Sequence, residues 1–400
     1  MKILSITAQK PHSTGSGTYL TELVKSLDKA GCIQAVVAGI YETDEVLFPK
    51  NVDFYPVLFN KDINYPIVGM SDVMPYPSTR YCDLDDKMIS EFEDAFIEVI
   101  AEAIDEFAPD IIVCHHLFLL TALIRKHFPN EKIYGICHGT DLRQMINCEN
   151  LAKIVSPEIK KLDHIFALHD EQAKQISHIF DIDPSKISVI GSGYNSELFN
   201  TNDRKSRNEG DPIKICYAGK MSSAKAIPEL LDAIDALNKD SVYNIEYYLA
   251  GGCQEEAIKS RLEGLPSNVK YLGQISQDEL AKVYKSCDIF ILPSYYEGLG
   301  LVLIEAMASG LLCISTDLPG IKDWINENVK NPDVIYIPMP NMASIDVPTD
   351  DGRKQFVKDI KLLIETAAQT ISKFSENKNF SDTSKISWEV ISNRLLELSR

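Results

Sequence analysis

The residues best suited to chemistry gather in Ser294-Tyr-Tyr-Glu-Gly-Leu-Gly-Leu-Val-Leu-Ile-Glu-Ala-Met-Ala-Ser-Gly310, where Glu297 and Glu305 flank a glycine loop and the start of a helically spaced apolar run. The first N–H groups of a helix have no acceptor within it, so the amides of Gly298, Leu299 and Gly300 can bind an anion such as a diphosphate. Glycine lets that anion approach the backbone. Glu305, farther along the run, suits a pair of vicinal hydroxyls, as the acidic residue of a dinucleotide site does for ribose. A second cluster, Gly219-Lys-Met-Ser-Ser-Ala-Lys225, lies between a strand-like run and a helix beginning near Ile227. There Lys220 and Lys225 could stabilise the charge of a departing diphosphate. Solvated surface lysines are the plainer alternative.

The first half offers histidines. His115 and His116 follow the strand-like run Asp110–Cys114, and His138-Gly-Thr-Asp141 follows Lys132–Cys137. Carboxyl ends of strands are where doubly wound sheets keep their ligands. His138 is therefore a candidate catalytic residue, and His115, His116 and Asp141 are candidates for acceptor contact. A packed histidine and a loop-capping carboxylate remain open for these positions. Arg80 could pair with an anionic acceptor, although an exposed arginine explains it equally well. Gly17, in Gly15-Ser-Gly17, belongs to a loop expected over Gln9–Gly17 that could face a phosphate. Leu20 occupies the third glycine position of the dinucleotide fingerprint and no acid closes the second strand, which argues against a dehydrogenase.

These residues are carried by strand-like runs that alternate with amphipathic helical stretches, the pattern of parallel sheets covered by helices on both faces. Runs at Lys2–Thr7, Ile33–Gly39, Asp110–Cys114, Lys132–Cys137, Asp163–Leu168 and Ile187–Ile190 read as a first set. Ile213–Ala218, Ile245–Ala250, Val269–Leu272, Asp288–Leu292 and Leu311–Ser315 read as a second, with Ile335–Pro338 as its end. Residues 41–86 read as irregular and, with 142–156, as loops that shape an acceptor pocket. Long helices are expected at Asp86–Phe107 and Asp350–Phe374, and a last one at Ile386–Leu398. The expected organisation is a first α/β domain over 1–195, a polar linker over 196–211 and a second α/β domain over 212–380, with 381–400 packing back on the first.

Composition narrows the function. With 45% hydrophobic and 24% charged residues, the chain can bury two sizeable cores. Its net charge of −18, concentrated in the first half, disfavours nucleic acid and anionic membrane surfaces as partners. No run approaches the ~20 apolar residues of a membrane helix, so no stable membrane insertion is expected. Met1–Thr7 reads as a first strand, not a signal peptide. The nine cysteines are scattered among apolar runs and read as reduced thiols of a cytoplasmic protein, neither disulfides nor a metal cage.

Taken together, Glu297 and Glu305 in PSYYEGLGLVLIEAMASG, the Gly219-Lys220 to Lys225 loop, Val269-Lys-Tyr-Leu-Gly-Gln-Ile275, His138-Gly139, the glycine loop near Gly17 and the tryptophan-bearing last helix resemble the retaining glycosyltransferases of family 4, in the glycogen synthase-like superfamily. The resemblance spans most of the chain. It implies a GT-B fold, two Rossmann-like domains facing across a cleft with the last helix crossing back to the first. It implies a nucleotide-sugar donor, UDP-linked by preference, a soluble small-molecule or saccharide acceptor, and no metal ion. Glu305 would hold the ribose and Glu297 the hydroxyls of the donor sugar. The 298–301 amides, Gly219, Lys220 and Lys225 would face the diphosphate, Gln274 and Ile275 the base, and His138 the sugar near the reacting centre. Lys220 stands where the family usually has arginine, which keeps the charge and loses bidentate geometry. Gly191–Asn195 departs from the family's Asn-Gly-Val-Asp. Retention would follow from same-face attack, with Glu297 as a covalent nucleophile the alternative. An epimerase or phosphorylase on the same fold, or a non-catalytic nucleotide-sugar-binding subunit, remain open. Oligomeric state and acceptor identity have no signature in the sequence.

Overall fold

Short apolar runs flanked by amphipathic helices pair as parallel strands because the helices cover both sheet faces. The structure, a computed structural model, describes residues 1–400 except 72, 205, 206, 209, 345, 374–379 and 400. The chain divides into two compact units, Met1–Gly193 with Trp388–Arg400, and Tyr194–Ser387.

The first unit runs β1 (Lys2–Thr7), α1 (Gly15–Lys29), β2 (Ile33–Ile40), β3 (Val52–Leu58), the short pair β4 (Val68–Gly69) and β5 (Thr79–Arg80), then α2 (Asp86–Phe107) and β6 (Ile111–His115). It continues through α3 (Leu119–His127), β7 (Ile133–Ile136), α4 (Thr140–Asn147), α5 (Glu149–Ile159), β8 (His164–Ala167), α6 (Asp170–Phe180) and β9 (Ile187–Val189). Its seven-stranded sheet is parallel throughout, in the order β3-β2-β1-β6-β7-β8-β9.

The second unit runs β10 (Ile213–Ala218), α7 (Ile227–Asp240), β11 (Ile245–Ala250), α8 (Glu256–Glu263), β12 (Val269–Gly273), α9 (Gln277–Ser286), β13 (Ile289–Leu292) and α10 (Leu301–Ala308). Then come β14 (Leu312–Thr316), α11 (Ile321–Asn328), β15 (Val334–Ile337), the antiparallel pair β16 (Met342–Ser344) and β17 (Val347–Pro348), and α12 (Asp350–Lys373). Its six-stranded parallel sheet has the order β12-β11-β10-β13-β14-β15. The central strands β6, β7, β13 and β14 are buried along their whole length, which is why they read as continuous apolar runs and not as alternating ones.

The last helix, α13 (Trp388–Leu398), belongs to the first unit and packs on α1. Ser26 and Ser392 hydroxyls bond at 2.8 Å, and the Trp388 and Tyr19 rings meet edge to face with centroids 4.8 Å apart. The stretch Ile190–Gly193 is the seat of this helix. Arg394 Nη1 donates to Ile190 O at 2.9 Å, Tyr19 OH donates to Gly191 O at 3.0 Å, and a Cβ on Gly193 would lie 2.7 Å from the Trp388 ring. That contact gives Gly193 a steric reason to be glycine.

Four expectations change. Within 41–86, Val52–Leu58 forms the edge strand β3, where Pro56 is tolerated because an edge strand has one unpaired side. Residues 142–156 lie in α4 and α5 and are not a loop. Cys82 and Cys148 are joined as a disulfide with Cα atoms 5.1 Å apart, against the reading of all nine cysteines as thiols. The polar stretch 196–211 falls within the second unit, and its Arg204 is half-buried there. Arg204 donates to Tyr284 O and Ser309 O, each at 3.1 Å, and to Cys287 O. Tyr284 O also accepts the Cys287 N–H, so the guanidinium chiefly satisfies Cys287 O and Ser309 O, at the C-terminal ends of α9 and α10. Residues 205, 206 and 209 of that stretch, and Phe374 at the expected end of the long helix, lie outside the described residues.

Candidate functional site

In the second unit the chain runs outward from β10 to β11 and β12, then returns to the other side of β10 with β13. At such a reversal the loops after the two central strands splay apart and leave a crevice at the carboxyl ends. The loops are Gly219–Ala226 after β10 and Pro293–Gly300 after β13, and the structure brings Lys225 and Glu297 together from them. Lys225 Nζ donates to Glu297 Oε1 at 2.8 Å and to Tyr296 O at 3.0 Å, with the two side chains 22% and 15% exposed. The Tyr295 N–H donates to Ala224 O at 3.3 Å, a second tie between the loops. Gly300 has φ +71° and precedes α10, whose start has no side-chain cap. Only glycine adopts this conformation at little cost. Glu305, the fifth residue of α10, is 5% exposed. Tyr217 OH donates to Lys220 O at 2.8 Å, and the Tyr217 phenol is pushed well up, by burial first and by Glu297 next.

Three glycines line the ends of adjacent strands. A Cβ on Gly251 would lie 1.7 Å from Gly219 O, and the Gly251 N–H donates to Gly273 O at 2.7 Å. This close approach went unread in the sequence, where its only signal was Gly251-Gly252 directly after a strand. Gln274 is exposed and its Oε1 lies over Gly252, while Ile275 is half-buried and Ser276 caps α9 with Glu279 in a reciprocal capping box.

In the first unit the sheet reverses at β1, between β2 and β6. His115 ends β6 and His138 follows β7. All three histidines are buried, and His116 has φ +75°, a strained left-handed conformation. His115 Nδ1 and His138 Nε2 are 3.0 Å apart. Gln9 Nε2 lies 3.2 Å from His116 Nε2. Tyr19 meets the His138 ring edge-on at 5.0 Å. Burial comes first among the causes that depress all three imidazoles, with the neighbouring histidine next: His116 falls to about 3, and His115 and His138 well below the usual range. The cluster is therefore neutral at pH 7.

Asp141 corrects the sequence reading. It is fully buried, and its carboxylate accepts from the N–H groups of Leu117 at 2.9 Å and His138 at 3.2 Å and from Cys137 Sγ at 3.3 Å. It ties the loops after β6 and β7 together and has no surface for an acceptor. Gly17 is likewise not in an open loop. It is the third residue of α1, its N–H donates to the Thr14 N-cap hydroxyl at 3.1 Å, and a Cβ there would lie 2.7 Å from Lys10 O. Close packing, not a free amide, requires that glycine. Arg80 is exposed and forks onto both carboxylate oxygens of Asp83 at 2.7 Å. Tyr19 was missed because an aromatic at helical spacing reads as core. Among the described residues, no group of three or more His, Cys, Asp or Glu is arranged to hold a metal ion, and no helix is long and apolar enough to cross a membrane.

The comparisons with known proteins follow this division. Residues 13–198 match the model of glycosyltransferase family 4, and residues 199–344 match that of the glycosyl transferases group 1. A D-inositol 3-phosphate glycosyltransferase of Corynebacterium glutamicum is 30% identical over 167 residues, which cover 38% of this chain and 40% of that protein. The chain thus aligns with less than half the length of that relative. Among solved structures, sucrose-phosphate synthase from Thermosynechococcus elongatus superposes with a TM-score of 0.69 at 17% identity, covering 100% of this chain and 98% of that one. The Anabaena protein HepE in complex with UDP and glucose gives 0.60 at 14%, covering 100% and 99%. At such identities these likenesses speak for the fold alone, and the fold is GT-B. With adjoining matches to the family models of both halves, the chain belongs to the glycosyltransferases of family 4.

Proposed function

We propose that the protein is a glycosyltransferase that moves a hexosyl group from a nucleotide sugar, UDP-linked by preference, to a hydroxyl of a small-molecule or saccharide acceptor, with retention and without a metal ion. The observation that carries this reading is the Lys225–Glu297 pair at the crevice of the second sheet, beside the uncapped start of α10. An ammonium there stabilises the charge that develops on a departing diphosphate, and the helix-start amides at Gly298–Leu301 add donors in the same place. Lys220 is assigned to the same diphosphate, Gln274 and Ile275 to the base, and Glu305 to the ribose.

In this reaction the C1–O bond to the diphosphate breaks as the acceptor oxygen bonds C1 on the same face. The acceptor proton passes to the departing phosphate oxygen. Glu297 orients the sugar hydroxyls, and His138 contacts the transferred sugar. The protein supplies orientation and charge stabilisation, with no covalent intermediate. UDP is preferred on the family resemblance, and HepE, which shares the fold, has been solved with UDP and glucose.

The test is mass spectrometry of reactions pairing UDP-, GDP- and ADP-sugars with a panel of acceptors, with and without EDTA, and NMR of the product's anomeric centre. Transfer that persists in EDTA and preserves the donor's configuration is expected. Loss in EDTA with rescue by a divalent ion sinks metal independence, and an inverted product sinks retention. Donor conversion without acceptor would instead indicate an epimerase. Nucleotide-sugar binding without turnover would indicate a non-catalytic subunit.

A further inference from the structure

The sequence made His115 a contact for the acceptor, yet it is only 3% exposed, and its Nδ1 is directed at His138. We infer that His115 is a positioning residue: its Nδ1–H donates to Nε2 of His138, so that His138 meets its ligand through Nδ1, as a hydrogen-bond donor. This rests on the transferase reading for the ligand of His138 and for the kinetic consequence, but not for the hydrogen bond.

The geometry is that of an in-plane hydrogen bond. The nitrogens are 3.0 Å apart, the ring planes differ by 11°, and the centroids are 5.2 Å apart. Two neutral imidazoles so joined have one donor and one acceptor at the shared contact. The direction follows from the far side of His115, where Nε2 is buried with no partner. If His138 donated, His115 Nε2 would carry a buried proton with no acceptor. If His115 donates, the same atom holds only an unused lone pair, and buried donors go unpaired less often than acceptors.

The surroundings fix the pair. β6 and β7 place His115 opposite Ile136, and the N–H groups of Leu117 and His138 both donate to Asp141 Oδ2. Tyr19 closes the pair edge-on, 6.1 Å from His115 and 5.0 Å from His138. His116 leans on His138 at 4.7 Å and is itself held by Gln9. With Nε2 committed, Nδ1 is the ring nitrogen His138 retains for a ligand, and as N–H it complements a sugar or phosphate oxygen.

The test uses the full chain labelled with 15N-histidine, the His138 signals being assigned by their loss in His138→Gln. Wild-type His138 is expected to be protonated at Nδ1 and bare at Nε2; protonation at Nε2 overturns the inference. His115→Phe keeps a ring and removes both nitrogens. It should lower kcat roughly ten-fold, leave the donor KM within about two-fold, and shift the His138 resonances. His115→Asn, whose amide N–H can donate from near the lost Nδ1, should recover most of the kcat and of the wild-type pattern lost in His115→Phe. Unchanged kcat and unchanged His138 signals in His115→Phe overturn the inference. Should His115→Phe not fold, the wild-type tautomer and the Asn variant decide alone. If the wild type transfers no sugar, the transferase reading fails while the tautomer still tests the hydrogen bond.

Discussion

Lys225 and Glu297 neutralise each other before any ligand arrives, so their substitutions should act in opposite directions. Lys225→Ala removes a charge-assisted partner of the diphosphate and should weaken UDP binding roughly ten-fold or more. Glu297→Gln frees the ammonium from its competitor and should leave UDP binding equal or tighter while transfer falls. Calorimetry on the two variants decides, and a Lys225→Ala protein that binds UDP like the wild type removes the phosphate assignment. The histidine cluster gives a pH dependence with a definite sign. A depressed imidazole is neutral in the folded protein and protonated in the unfolded chain between its folded value and about 6.5, so the unfolded state binds more protons there. Stability is fully present above about 6.5 and is lost as pH falls toward the folded value, about 3 for His116. The thermal midpoint should drop between pH 7 and pH 5, and less steeply in His116→Gln; equal slopes in both proteins would remove His116 from the cause.

At the scale of elements, two contacts distant in sequence hold the parts that carry the site. Arg204 caps α9 and α10 together, and α10 bears Glu305. Arg204→Leu leaves buried carbonyls unpaired at about 1–3 kcal/mol each. Hydrogen exchange should speed up in the last turns of both helices, and protection that stays at the wild-type level there would show that Arg204 is not their cap. Trp388 rests on Gly193 and Tyr19, and Tyr19 in turn meets His138. Trp388→Ala should cost about 3–5 kcal/mol, the range for deleting a buried aromatic. Trp388→Phe, which keeps a ring against Tyr19, should recover a large part of it by thermal unfolding. Element boundaries were legible where a strand lies inside its sheet: Ile213–Ala218 and Ile245–Ala250 stand where the sequence placed them. The edge strand Val52–Leu58 was not legible, because Asp53 and Pro56 interrupt the apolar signal and only pairing with β2 makes it a strand.

For the whole molecule, a net charge of −18 predicts little attraction to anionic lipid. Cosedimentation with phosphatidylglycerol-rich vesicles at ~0.1 M salt should leave the protein in the supernatant; bulk pelleting would point to a basic or apolar face that overrides the net charge. What the sequence determined by itself was local. The alternation of apolar runs and amphipathic helices specified parallel α/β units, since each strand's burial and each helix's stripe are written in consecutive residues. The glycine-rich helix entry at Gly298–Leu301 and its two glutamates were readable for the same reason. Only tertiary structure decided which side chains meet. It paired Lys225 with Glu297 across a sheet reversal, spent Asp141 on backbone amides, committed Gly17 to packing and joined Cys82 to Cys148. It also set His115 against His138, from the ends of neighbouring strands. Such contacts depend on strand order and register, which a one-dimensional pattern of hydrophobicity does not contain.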